Sequence, residues 1–216
     1  RDLTGRVCLA LGEAAPSSPV VPFGPIVDAM ARRWIDPGLE GVTAVIGERS
    51  GTGRTRPLAV ELRSEEPAMP NALVGGAVGS GKSNLLLVLI HALAAQYSPQ
   101  ELEMVLLDFR DGVEFAPLGP QGDKGHWLPH AILLGLETDQ EFGVAVLDDM
   151  SRELARRTAE FKRVGVGKIN AYRAKTGLVM PRRLLVIDEF QRLFSGSDEL
   201  ADRAVALLDD LSRTGR

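Results

Sequence analysis

Cysteine is almost missing from this sequence: among 216 residues there is one, Cys8. A single thiol excludes a disulfide framework and an all-cysteine zinc site, and it fits a reducing compartment. Long apolar runs are missing too. The longest purely aliphatic stretch, Leu85 to Ile90, has six residues, against the roughly 20 that a membrane-spanning helix needs. No excess of positive charge exists, since 25 Lys and Arg face 29 Asp and Glu for a formal net charge of −4. That balance argues against coating nucleic acid through bulk charge and leaves local grooves open. Aromatic residues make up 5% and are not interleaved with basic ones, so a base-stacking platform for single strands is unsupported. The three histidines, His91, His126 and His130, share no metal-ligand spacing. No Ser-His-Asp pattern is visible. The sequence starts at Arg1 without a methionine, and no charged-then-apolar leader follows, so we expect a fragment or a processed product.

What is present is ordinary globular composition, 44% hydrophobic and 25% charged, enough chain for one domain with an appendage. Residues 1–69 are punctuated by Pro and Gly and read as an N-terminal extension. Arg6 to Leu11 suits a short strand, Pro25 suits a helix start with Ile26, Met30 and Trp34 on one face, and Asp36-Pro37-Gly38 stops it. Val42 to Ile46 and Leu58 to Leu62 read as a hairpin around Arg49 to Gly53. Residues 70–216 read as the core. Strands are expected at Ala72 to Val74, Glu103 to Leu107, His130 to Leu134 and Leu184 to Ile187. Helices are expected at Asn84 to Tyr97, from Glu141 to Gly165, and at Glu199 to Leu211. Such alternation predicts an α/β fold, a mainly parallel sheet with helices on both faces. From Arg152 to Arg183 ten basic residues accompany only Glu153 and Glu160. The segment is either a solvated helix face or a surface that meets an acidic partner or a neighbouring subunit.

Two motifs carry chemistry. Gly76-Ala77-Val78-Gly79-Ser80-Gly81-Lys82-Ser83 fits G-x-x-x-x-G-K-[ST] at every fixed position. Its glycines let successive backbone N–H groups turn inward around phosphate oxygens. The helix that follows, beginning near Asn84, adds a partial positive charge. Lys82 is placed to reach the β- and γ-phosphates of ATP, and Ser83 offers its hydroxyl to Mg²⁺. About a hundred residues later, Leu184 to Ile187 ends in Asp188-Glu189. Ligands of open α/β sheets lie at the carboxyl ends of the strands. Asp188 therefore suits the Mg²⁺ shell, and Glu189 suits a base that polarises the attacking water. Asp108, closing the first strand after the phosphate loop, either lines the same crevice or is a solvated strand-end acid.

Around these motifs stand Tyr97-Ser98-Pro99-Gln100-Glu101-Leu102-Glu103, Leu107 to Phe115 (LDFRDGVEF), Leu128-Pro129-His130, Glu153, Arg156 and Arg157, Ala171-Tyr172-Arg173, Asp188-Glu189-Phe190-Gln191 and Arg213-Thr214-Gly215-Arg216. In this order, over about residues 40 to 216, they resemble the motor domain of the FtsK/SpoIIIE family, RecA-like P-loop ATPases of the FtsK–HerA group. The resemblance implies a cytoplasmic subunit of a homo-oligomeric, commonly hexameric ring that uses ATP and Mg²⁺ to pump double-stranded DNA. Lys82, Ser83, Asp188 and Glu189 match the family's nucleotide-site positions. Arg216 matches an arginine that reaches the neighbouring subunit's nucleotide. Pore loops lie mainly beyond that point in the family, so this chain is expected to bind nucleotide and to translocate poorly alone. The superfamily also holds type VII secretion ATPases, which move proteins. A protein-export ATPase and a nucleotide-gated assembly module are therefore the alternatives, although the intact Asp188-Glu189-Phe190 and the Asp108 to Phe115 segment look more like the DNA pumps.

Overall fold

The computed structural model describes residues 22–29, 34, 40–49, 56–65, 67–110, 112–120 and 127–215. The expected strand at Arg6 to Leu11, the hairpin tip, Asp36 to Gly38, His126 and Arg216 lie outside these residues. A short helix, α1 (Phe23–Ala29), precedes an antiparallel hairpin of β1 (Gly41–Arg49) and β2 (Arg56–Arg63). Then follow α2 (Lys82–Gln96), β3 (Leu102–Asp108), β4 (Ala131–Gly135), α3 (Gln140–Val164), α4 (Ile169–Thr176), β5 (Arg182–Asp188) and α5 (Asp198–Thr214).

The central sheet has three parallel strands in the order β4-β3-β5. Every residue of β3 except Glu103 is buried, as expected of a strand covered on both faces. Strand alternation sorts its side chains. Met104 and Leu106 pack in one cluster with Ile90 and Leu93 of α2. Val105 and Leu107 pack in another with Leu147 of α3 and Leu207 of α5. Val42 and Ala44 of β1 join the α2 cluster, so the hairpin covers the far side of that helix. The Thr43 N–H donates to the Tyr97 hydroxyl at 2.9 Å and fixes this contact.

α3 is long because its ends are well signalled. The Asp139 side chain accepts from the Phe142 N–H at 2.7 Å, and Gly165 closes the helix at φ 73°. Within α3, Gly143 admits the Phe109 ring, since a Cβ there would meet Phe109 Cζ at 2.4 Å. The helix expected to run from Pro25 towards Trp34 is described only to Ala29. Trp34 itself sits in a turn at φ 57°, its indole donating to the Ala94 carbonyl at 3.0 Å.

One expected strand does not form. Among the described residues Ala72 to Val74 pairs with no strand, and it is exposed, Leu73 at 78%. The strand edge it faces, β5, lies across a groove of about 1120 Å³ whose lining includes Leu73, Val74, Leu86, Leu184 and Leu208. Three residues cannot hold an extended conformation by propensity alone, since ladder hydrogen bonds and cross-strand packing stabilise a strand. The segment is instead tethered by Asn71, whose side-chain amide donates to the Ser212 carbonyl of α5 at 3.1 Å.

The basic stretch from Arg152 to Arg183 is largely paired with the protein's own acids, much of it at the surface. Arg156 and Arg157 hold Glu153 at 2.6 and 2.7 Å, Arg163 holds Glu160 at 2.7 Å, and Arg173 holds Glu101 at 2.6 Å. Lys168 meets Glu65, and Arg183 meets Glu103 at 2.8 Å. The solvated-face reading of this segment accounts for these pairs.

Candidate nucleotide site

The loop Gly76 to Gly81 lies exposed at the N-terminus of α2. Gly79 and Gly81 take φ values of 77° and 89°, a region that L side chains enter only at a cost. Gly76 has a different reason to be glycine: a Cβ there would meet Ser80 Oγ at 2.5 Å. The Lys82 ammonium folds back over the loop and donates to the carbonyls of Gly76 and Ala77 at 3.0 and 3.2 Å. Those bonds hold it over the concave side, beside the free N–H groups of the first helical turn. Val78 projects at 91% exposure and Asn84 is exposed on the first turn.

Ser83 and Asp188 come together, as the two motifs require. Ser83 Oγ donates to Asp188 Oδ2 at 2.8 Å, across 105 residues of chain. Asp188 Oδ1 accepts from the Glu189 N–H at 2.9 Å. Asp188 is buried, and Glu189 is half-buried at the start of a short 3-10 turn, Phe190–Phe194. Glu189 takes φ 54° and ψ 40°. A non-glycine residue in the left-handed region stores about 1–3 kcal/mol and is commonest at functional sites. The Gln191 side-chain amide donates to Glu189 Oε2 and fixes the carboxylate's direction, a partner that sequence reading did not single out as part of the site.

The donor set fits ATP with a magnesium ion. A glycine loop held at positive φ, one lysine ammonium, one hydroxyl and one buried carboxylate are the hard-oxygen and cationic groups that such a pair requires. Asp108 is the residue that sequence reading left open. It is fully buried, one oxygen accepts from the Arg110 N–H at 2.9 Å, and the other has no partner among the described residues. His130 is also buried, its Nε2 2.8 Å from the Tyr97 carbonyl, and burial lowers its pKa against the raising effect of that bond. It serves packing under Trp34, whose ring lies 6.1 Å away edge-on. His91 Nδ1 lies 2.8 Å from the Leu87 carbonyl within α2. Among the described residues no cluster of three or more His, Cys, Asp or Glu forms a metal site, and no helix is long and apolar enough to cross a membrane.

Comparison with known proteins agrees with this geometry. The chain is 30% identical over 190 residues to the ESX-5 secretion system protein EccC5 of Mycobacterium marinum, covering 83% of this chain and 13% of that protein. It thus spans roughly an eighth of that relative's length. Among solved structures it resembles Thermomonospora curvata EccC (ATPases 2 and 3) in complex with a signal sequence peptide. That likeness has a TM-score of 0.65 and 25% identity, over 86% of this chain and 33% of that one. The pCW3 conjugation coupling protein TcpA, solved with ATPγS, shares the fold at a TM-score of 0.59 and 23% identity, over 87% of this chain and 49% of that one. The FtsK/SpoIIIE family matches residues 46–209. This chain therefore belongs to the FtsK/SpoIIIE family and has the fold of its P-loop ATPase domains.

Proposed function

We propose that the chain is an ATP-hydrolysing motor module of a type VII secretion-like protein-export ATPase. The hydrogen bond from Ser83 to Asp188, joining the phosphate loop to the acidic strand end, supports the ATPase half of this reading. The similarity to EccC5 across 83% of the chain supports the export half. The expectation of a double-stranded DNA pump gives way to export on that similarity, and much of the basic charge of the Arg152 to Arg183 segment is already paired with the protein's own acids.

In this reading the backbone of Gly76 to Gly81 cradles the phosphates of ATP, with Asn84 at the rim. Lys82 exchanges its two carbonyl contacts for phosphate oxygens. Ser83 and Asp188 hold Mg²⁺, which supplies charge neutralisation at the phosphates. Glu189 orients and polarises the attacking water, with its direction set by Gln191 and by its left-handed backbone. The module works at the cytoplasmic side, where ATP is available, as one subunit of a homo-oligomeric assembly. A hexameric ring, with Arg216 reaching a neighbour's nucleotide, completes the site from outside the described residues. Residues 70–216 form the ATPase unit, and residues 1–69 form an extension whose hairpin covers α2.

Turnover of ATP, measured with a signal-sequence peptide of an export substrate and separately with double-stranded DNA, tests the reading. Stimulation by the peptide alone is expected. Stimulation by DNA alone would return the chain to the DNA pumps, and nucleotide-dependent association without turnover would make it an assembly module.

A further inference from the structure

Register places two acids side by side. β3 and β5 pair so that Leu106 lies opposite Val186, Leu107 opposite Ile187 and Asp108 opposite Asp188. Leu106 and Val186 both pack in the cluster under α2. Two residues further along each strand, Asp108 and Asp188 share that face and the end where the phosphate loop sits.

Their hydrogen bonding differs. Both oxygens of Asp188 accept hydrogen bonds, from the Ser83 hydroxyl and the Glu189 N–H. Asp108 uses Oδ1 for the Arg110 N–H, and its Oδ2 is buried with no partner among the described residues. The Asp108 main chain already performs the structural task at this corner, its carbonyl accepting from the Thr138 N–H at 3.0 Å and the Thr138 hydroxyl at 2.9 Å. A turn bond to Arg110 needs one oxygen, which asparagine or serine supplies without a charge. Enclosing a second, unsatisfied oxygen strips it of water without replacement, and a carboxylate directly opposite adds repulsion. A divalent cation offsets both costs. Magnesium retains several waters and is held by one or two carboxylates besides phosphate oxygens.

We propose that Asp108 is a positioning residue for the divalent cation of the nucleotide site, its free Oδ2 accepting a hydrogen bond from a cation-bound water beside Asp188. The proposal rests on the nucleotide-site reading above and assigns Asp108 no part in activating the attacking water, which is the task of Glu189.

The test compares the unmodified chain with Asp108→Asn and Asp108→Ala. Binding of Mn²⁺ in the presence of ATPγS is followed by electron paramagnetic resonance, binding of a fluorescent ATP analogue is measured in EDTA, and melting is measured without metal. Loss of a residue that orients a metal's outer ligands typically weakens the metal by about 10- to 100-fold. We therefore expect at least a tenfold weaker Mn²⁺ affinity, unchanged nucleotide affinity in EDTA, and metal-free melting of Asp108→Asn at or above that of the unmodified chain. Unchanged Mn²⁺ affinity overturns the proposal. So does failure of both variants to fold, which makes Asp108 a packing group. If the unmodified chain binds no nucleotide, or binds it without regard to metal, the nucleotide-site reading itself fails, a result distinct from either.

Discussion

The two strands that carry the site are joined by unlike charges at one end and like charges at the other. Where β3 and β5 begin, Glu103 lies opposite Arg183, and the guanidinium grips one carboxylate oxygen through Nε at 3.1 Å and Nη2 at 2.8 Å. Where they end, Asp108 lies opposite Asp188. Cross-strand pairs of opposite charge stabilise a sheet and like pairs destabilise it, by about 0.2–1 kcal/mol. The first end is tied further by Arg157, which bridges Glu153 and the Pro181 carbonyl at 2.6 Å. The second end carries exposed glycines, a left-handed Glu189 and an unpaired carboxylate oxygen. One end of the sheet holds the fold together, and the other keeps polar groups and strain ready for a ligand.

The largest effect is expected at the end that carries Asp108 and Asp188. On the proposed reading, replacing Glu189 by Gln removes the charge that would polarise water, and turnover should fall by about 100-fold or more while ATP binding, measured by equilibrium titration, stays within a few-fold. Undiminished turnover takes Glu189 out of the base role. At the other end, Arg183→Glu sets a carboxylate against Glu103, and denaturant unfolding should show a loss of about 2 kcal/mol. A loss below a few tenths would mean that the ion pair does not tie the strands. Glu189→Gly separates strain from chemistry: it should abolish turnover and raise unfolding free energy by about 1 kcal/mol, the strain released at a left-handed residue. Lower stability in that variant would count against stored strain.

Acid gives the smallest effect. The Arg156 guanidinium, aided by Arg157, holds Glu153 at a pKa of about 2, against the partial opposition of its burial. A depressed carboxylate contributes stability above its unfolded pKa and loses it as pH falls through the folded value. The contribution of Glu153 is therefore complete above about pH 4.5 and fades towards pH 2, amounting to about 1 kcal/mol after solvent screening. Arg156→Met with Arg157→Met should flatten the acid limb of a stability curve measured between those values.

Legibility in the sequence followed the range of the physics involved. The phosphate loop was readable because its chemistry is local, and the Leu184 to Glu189 strand because a buried apolar run ending in acids has one natural place in a parallel sheet. α3 was readable from its spacing and from Gly165. α4 was not, since its eight residues bury only Tyr172 and its N-cap is Lys168, without a capping side-chain bond. Ala72 to Val74 looked like a strand because composition reports propensity and is silent about whether a partner lies within reach. The meeting of Asp108 with Asp188 depends on register, which no spacing within either strand encodes. The left-handed backbone of Glu189 is likewise set by the turn into Phe190–Phe194.

The groove beside β5 has a mechanical consequence. Among the described residues β5 is hydrogen-bonded along one edge alone, to β3, yet it carries Asp188 at its tip. It behaves as a beam clamped along one side, and the placement of the acid pair inherits the compliance of that single ladder. Amide exchange should register this as alternation along Arg182 to Asp188, slow for N–H groups turned towards β3 and fast for those turned towards the groove.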